Sequence, residues 1–467
     1  MQKIKFKALF TDIRFWIFLF FIIRLIGITN APLEAGHNWR QAFTNMVARN
    51  FYDNGLHFLY PEIDMAGENS GIVASEFPFF NFLIYLFSKA FGYAHWYGRL
   101  INLIVSSIGI FYFFKLIKGV VDSKIAFNAT IILLVSIWFA FSRKSMPDTF
   151  SVSLVIIGLY YGYDYIKRNN FWSLFLFFLF STLGMLCKIP ALSIFSVLAI
   201  VPFLNSIQIQ RRLIISFVAF LAVSITLIWY YYWVPFLLNT YQFQLFFPKG
   251  IMEGIKEILP HIPEALKKFY FDSINSYIAF ACFLLGIYFF LKTKDFWVKT
   301  AIALISVVFL IFIIKTGAVF PFHSYYIIPF TPVMALLIGY FLVQLPNKYR
   351  IVFLFLIAIE AIGNQNHDFF VKDSELYRLK LDQIASEKIG KKDLIIINGG
   401  QSPQSIYFAH KKGWSVENRN LVRPHYIDSL SNLGAKYLII DQTNEKLEFQ
   451  QFQLKYRDSH FWIYQLK

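Results

Sequence analysis

Several short polar motifs interrupt a chain that is otherwise strongly apolar, and their residue types could do chemistry. His37-Asn38-Trp39-Arg40-Gln41 puts an imidazole, an indole, a guanidinium and an amide within five positions. Such a polar wall can hold an anionic or hydroxylated ligand. Glu34 stands just ahead of it. Glu76 opens Glu76-Phe77-Pro78, directly before an apolar stretch. A carboxylate there is costly unless it pairs with a cation or works as an acid or base. Asp64 follows Tyr60-Pro61-Glu62-Ile63 and reads either as a solvated loop acid or as a ligand contact. Arg143 precedes Met146-Pro147-Asp148-Thr149. That is a helix start in which Asp148 offsets the dipole, or orients a donor, or supports a base. Lys188, before Ile189-Pro190, either snorkels or neutralises a phosphate as a point charge. His323, Tyr325 and Tyr326 read as an interfacial aromatic belt, though belts are built from Trp and Tyr rather than His. Arg24, within an apolar run, is a candidate because of its depth.

The elements that carry these residues are membrane-like. The chain has 467 residues, 57% hydrophobic and 15% charged, with 56 Phe. Soluble domains are about a quarter charged. Apolar runs of about 20 residues recur, enough to cross about 30 Å of hydrocarbon. They are continuous, without the alternation of about 10 residues that barrel strands show. The expectation is an all-α polytopic bundle of about eleven spans, at 13–30, 97–115, 125–142, 149–166, 171–187, 190–206, 213–235, 274–291, 297–315, 325–345 and 350–364. The formal charge of +16 is concentrated in short loops, where Lys and Arg set topology. It therefore does not point to nucleic acid, and no nucleic-acid motif is present. Cys187 and Cys282 lie inside apolar runs and mark neither a disulfide framework nor a metal site. The basic start, Met1–Arg14, followed by an apolar run without a small-residue cleavage site, reads as a signal anchor.

With the N-terminus inside, the cytoplasmic turns carry Lys3/Lys5/Lys7, Lys115/Lys118/Lys124, Lys167/Arg168, Arg211/Arg212, Lys292/Lys294 and Lys348/Arg350. Each is basic, as the positive-inside rule requires. Phe77–Phe91 is short for a span and would invert every later loop, so it reads as an interfacial helix. Trp39 to Tyr52 fits another helix lying on the membrane surface, with Arg49 touching headgroups. Every polar motif named above then emerges on the outer face. Three outer regions are sizeable: 31–96, 237–273 (where Pro248, Pro260 and Pro263 interrupt a helical pattern) and the tail, 365–467. The transmembrane domain is thus 1–364. The tail reads as a small α/β domain, with strands at Leu394–Ile397 and Tyr437–Asp441 and a helical stretch Gln404–Lys411 between them.

No Walker loop and no His-Glu-x-x-His occurs. The order His-x-Trp-Arg-Gln, Ala-Arg-Asn-Phe-Tyr, Tyr-Pro-x-Ile-Asp, Glu-Phe-Pro, Gly-Arg-Leu, Met-Pro-Asp-Thr, Lys-x-Pro and His-x-Tyr-Tyr-x-x-Pro, across about residues 10–345, resembles the bacterial type C (GT-C) glycosyltransferases. These are the family 39-like, dolichyl-phosphate-mannose protein mannosyltransferase superfamily. The resemblance implies many helices, a large first outer loop with interfacial helices, a polyprenyl-phosphate sugar donor and inverting transfer at the outer face of the bacterial inner membrane. The implied acceptor is a lipid-linked glycan, a lipopolysaccharide or a protein. The family usually carries an acid in the first loop and a second after the third span. Asp148 matches the second, whereas Asn38 stands where some relatives carry the first. Glu34, His37 and Glu76 are therefore the candidates for the base.

The chemistry can be stated without the family. A phosphate leaving group needs positive neutralisation, for which Arg40, Arg143 and Lys188 are available, and an acceptor hydroxyl needs a base within hydrogen-bond reach. Trp39, Gln41, Asp64, His323, Tyr325 and Tyr326 complete the candidate substrate contacts. Neither cofactor nor metal is expected, because no cluster has metal-ligand spacing. Two other readings compete: a transporter or flippase of envelope lipids or glycans, and a non-catalytic assembly protein derived from such an enzyme.

Overall fold

The helices start where the sequence supplies caps. Side chains of Asp122, Asn170, Ser276 and Asp295 accept from first-turn N–H groups of the helices they precede, satisfying donors that have no partner inside a helix. Pro147 opens Pro147–Arg168, a position where its missing N–H costs nothing. The structure, a computed structural model, describes residues 10–243, 248–442 and 447–466. Lys3, Lys5 and Lys7 of the expected N-terminal basic turn lie outside them.

Helical structure stands in each of the eleven segments read from the sequence. By length and composition, three helices among the described residues suffice to cross a membrane: Tyr97–Val120, Ile209–Tyr241 and Phe296–Thr316. Ile251–Asp272 and Tyr277–Lys292, bent by 91°, make a fourth if counted as one span. The other segments are shorter, broken or not apolar enough. Segment 125–142 divides at Ser136 into Ser123–Val135 and Trp138–Phe141. Segment 190–206 is a mixed 3-10 and α run containing Pro190 and Pro202. In 237–273, Pro260 and Pro263 sit at the first positions of short helical turns.

The chain divides into two compact units. The first holds the described residues up to 28, then 99–233 and 248–369. It is a helical bundle. Pro147–Arg168 packs along Phe171–Cys187, and Thr331–Leu342 along Ser123–Val135 and Tyr277–Lys292. At Gly286 a Cβ would stand 2.1 Å from the Leu337 carbonyl oxygen, so only glycine permits that crossing. Arg24 is wholly buried and donates to the Phe20 carbonyl at 3.0 Å, to Ser142 Oγ at 2.6 Å and to Ser107 Oγ at 3.3 Å. Its depth is thus accounted for by a strut between helices.

The second unit holds 29–98, 234–243 and the described residues from 370 on. The first outer region and the tail therefore share one unit. Its sheet has five strands: β1 (Leu394–Ile397), β2 (Gly413–Ser415), β3 (Ala435–Asp441), β4 (Gln453–Arg457) and β5 (Phe461–Gln465). Their order is β2-β1-β3-β5-β4. β1 is parallel to β2 and β3, and β5 is antiparallel to β3 and β4. Helix Gln404–Ala409 connects β1 to β2. The loop around Asp64 attaches to this sheet: Gly413 N–H donates to the Asp64 carbonyl, and Gly67 N–H to the Gly413 carbonyl. Gly67, at φ +57, lies so close to Trp414 that a Cβ would meet the indole at 2.4 Å.

Helix Asn38–Asp53 corrects the sequence reading. It presents no polar face to its surroundings, because residues 40–51 are all buried inside this unit. Its polar groups find partners there instead of water. Arg49 ion-pairs with Asp64 at 2.9 Å, donates to the Tyr407 carbonyl at 2.9 Å and lies 4.5 Å over the Tyr407 ring. Burial works against its charge, and Asp64, Tyr93 and Tyr407 outweigh it, so Arg49 holds its proton more tightly than a free arginine. Headgroup contact is not its role.

His410 carries a pH dependence. Burial lowers its pKa, and hydrogen bonds to Asp382 and Asp53 outweigh that, leaving it raised above 6.5. Its contribution to this unit is fully present below pH 6.5 and is lost as pH rises through the raised value. The side chain keeps 38% exposure, so the slope is shallow. Thermal melts of the purified protein across neutral pH are expected to show this loss, and His410→Gln is expected to flatten it.

Candidate functional site

Within the helical unit, the start of Pro147–Arg168 and the break after Phe171–Cys187 bring an acid and a base together. Asp148, in the first turn, is 4% exposed. Its Oδ1 stands 3.3 Å from Lys188 Nζ. Its Oδ2 is buried and has no hydrogen-bond partner among the described residues. A buried carboxylate oxygen left unused is costly, and such atoms persist where function needs them. Lys188 is the extended residue that caps Phe171–Cys187, and Ile189-Pro190 after it keeps that helix from continuing. Its Nζ lies 5.4 Å from the Tyr325 ring centroid. His323 stacks on the same ring at 5.4 Å, and Tyr326 lies 4.5 Å from it. Asp148, Lys188, His323, Tyr325 and Tyr326, separated by up to 178 positions in the chain, thus form one cluster.

Two residues that the sequence reading passed over belong near it. Lys268 lies in the π-helical turn Lys268–Asp272 that packs on Ser324–Ile327. It pairs with Asp272 at 2.7 Å. Burial, then Lys268 and Lys188, push the His323 imidazole below its usual pKa, so it is neutral at pH 7 in a positive surrounding that suits an anion. The available signal was the Lys268-x-x-x-Asp272 spacing, an ion pair on one helix face.

Arg143 is placed differently from expectation. It is 1% exposed and donates to the backbone carbonyls of Arg24 (3.1 Å), Asp368 (3.2 Å) and Ile26, with its guanidinium 4.0 Å over Phe369. These bonds hold the chain together, and a phosphate would have to displace them. Lys144, next in the chain, is buried against Asp368 at 2.7 Å.

In the second unit, helix Asn38–Asp53 and the approach to Phe79–Phe91 bring Arg40 and Glu76 into a salt bridge, both largely buried. Glu76 therefore has the partner that its apolar setting demanded. Arg40 also lies 5.0 Å over Phe43. Glu34, 2% exposed, accepts from Gln41 Nε2 at 2.9 Å. His37 precedes the helix at φ +57, an uncommon conformation for a side chain of its size. Trp39 is half-buried beside it. Asp64 is taken up by Arg49 and by Asn50, at 3.0 Å, which gives it a structural role in place of a ligand contact.

The family model described as dolichyl-phosphate-mannose-protein mannosyltransferase matches residues 75–234. No curated protein matches by sequence. Among solved structures, ArnT from Cupriavidus metallidurans bound to undecaprenyl phosphate is similar at TM-score 0.62 and 11% identity, over 96% of this chain and 98% of that one. Its apo form matches at TM-score 0.62 and 12% identity, over 96% and 97%. The archaeal oligosaccharyltransferase AglB from Archaeoglobus fulgidus, in complex with an inhibitory peptide and a dolichol-phosphate, matches at TM-score 0.57 and 11% identity, over 92% and 69%. Fold and family model therefore agree with the motif order: the chain resembles the GT-C glycosyltransferases of the dolichyl-phosphate-mannose protein mannosyltransferase superfamily.

Proposed function

We propose that this protein is an integral membrane glycosyltransferase that moves a sugar from a polyprenyl-phosphate donor to a hydroxyl or amine of an envelope molecule at the outer membrane face. The observation that carries the reading is Asp148, with one buried oxygen on Lys188 and the other unused. In a single in-line displacement the acceptor oxygen bonds to the anomeric carbon as the bond to the phosphate oxygen breaks. The electron pair leaves with the phosphate, whose charge Lys188 and Lys268 offset. The acceptor proton passes to Asp148 Oδ2. Inversion follows, because no enzyme nucleophile takes part. Lys188 then has two uses: it positions Asp148 through the ion pair and meets the leaving phosphate. The eleven helical segments are proposed to cross the bacterial inner membrane, with the N-terminus cytoplasmic and the tail outside.

The test is transfer by purified protein from a panel of radiolabelled polyprenyl-phosphate sugars to an envelope lipid extract. Transfer from any one of them supports the reading and names the sugar. No transfer from any donor, with the protein monodisperse, would overturn it. Lys188→Met and Lys268→Met are each expected to lower turnover by about 10²-fold, as loss of one preorganised charge does, and the double variant by less than the product.

A further inference from the structure

We infer that the end of the helical unit remote from Asp148 carries a binding site for an anionic phospholipid. Pro147–Arg168 is 22 residues long, with Asp148 in its first turn and Lys167 and Arg168 in its last. That separates the two ends by about 33 Å. At the far end a cavity of about 870 Å³ is lined by Arg14, Lys115, Lys118, Lys167 and Arg168, against two carboxylates, Asp12 and Asp164. Both carboxylates are already used, Asp12 by Arg14 and Asp164 by Arg168 at 3.0 Å. Lys115, Lys118 and Lys167 have no carboxylate partner among the described residues. Each instead lies over an aromatic ring: Lys115 is 4.1 Å from the Tyr160 centroid, Lys118 5.9 Å from Phe114 and Lys167 5.3 Å from Tyr163.

Topology alone explains why these loops are basic. It does not explain why three lysines from two helices converge, without counter-ions, on one cavity. Like charges brought together repel unless an anion joins them. The cavity also continues. Arg14 and Phe111 line it and, in addition, an apolar groove of about 360 Å³ formed with Ile17, Phe18, Phe21 and Ile108. A cationic chamber opening onto an apolar groove matches a phosphate headgroup attached to an acyl chain, and a basic pocket between helices at a membrane face is a common form of lipid recognition. A soluble anion would have no use for the groove.

The full-length protein would be reconstituted in nanodiscs of phosphatidylcholine with and without phosphatidylglycerol, then released and weighed by native mass spectrometry. Retention of phosphatidylglycerol over phosphatidylcholine is expected. The variant Lys115→Gln/Lys118→Gln/Lys167→Gln is expected to lower that retention about tenfold. Lys292→Gln/Lys294→Gln/Lys348→Gln, an equal charge loss elsewhere, is expected to leave it unchanged, and so is Asp148→Asn. A melting curve checks folding, and the exposed single substitutions Lys118→Gln and Lys167→Gln replace the triple variant if it is unstable. Equal retention of the two lipids would overturn the inference, as would equal loss in the control variant. Displacement of the lipid by inorganic phosphate would assign the chamber to a soluble anion.

Discussion

Asp148→Asn is expected to reduce sugar transfer by about 10²–10⁴-fold, the range for loss of a positioned general base. The amide keeps the size of the side chain and an oxygen for Lys188, but it cannot take a proton. The competing explanation is structural. Asp148 sits in a helix first turn, where an acid contributes about 0.3–1 kcal/mol through the dipole. It also neighbours Lys188, whose side chain is only 14% exposed. Both effects lower the melting point and leave the pH profile of surviving activity alone. The melting point of Asp148→Asn, measured beside its activity, separates the two readings. If the melting point stays near that of the wild type and activity is lost, Asp148 works in catalysis. Wild-type transfer rates in folded Asp148→Asn would end its assignment as proton acceptor and return the base to Glu34, His37 or Glu76.

Arg49→Met is expected to destabilise the unit containing the sheet by about 3–5 kcal/mol, because it leaves Asp64 buried without its cation, with Asn50 still donating to it. It also removes the donor to the Tyr407 carbonyl and the contact with that ring. Limited proteolysis of the tail, with the thermal midpoint, measures the effect. Arg49→Met/Asp64→Leu is expected to cost less than the two single changes added, since it removes the stranded charge along with its partner. Additive losses would show that the ion pair is not what couples helix Asn38–Asp53 to the rest of its unit.

The two predictions fall on residues that the sequence presented in opposite ways. Asp148 is legible because Met-Pro-Asp-Thr announces a helix start at the end of an apolar run, and Lys188 because a lysine before Ile-Pro ends another. Arg49 reads as a headgroup contact: a cation on an aromatic-rich helix beside a membrane satisfies every local rule for one. Its partner Asp64 lies fifteen positions away and its carbonyl acceptor 358 positions away. Local pattern holds no record of that pairing. Arg143 misleads in the same way, because three backbone carbonyls are its acceptors and backbone groups leave no trace in residue type. Lys268 was hidden for a different reason. It sits in Lys267-Lys268-Phe269-Tyr270-Phe271-Asp272, which names no ligand, and only the fold brings it near His323.

By itself the sequence determined the class of protein, the helical segments, their caps and the two main strands of the tail. All of these depend on hydrophobic length, period and capping chemistry, which are read within a dozen residues. It also carried the motif order that resembles the GT-C glycosyltransferases. Tertiary structure alone decided which polar residues are taken up as struts and which stand together at the candidate site. In a low-dielectric interior every charge must find a partner, and that partner is set by how distant segments pack. Asp148 and Arg49 are both nearly inaccessible, each beside an opposite charge. What separates them is their surroundings: Asp148 stands with Lys188 beside the Tyr325 ring, whereas Arg49 is taken up by Asp64 and the Tyr407 carbonyl, and no sequence pattern encodes either setting.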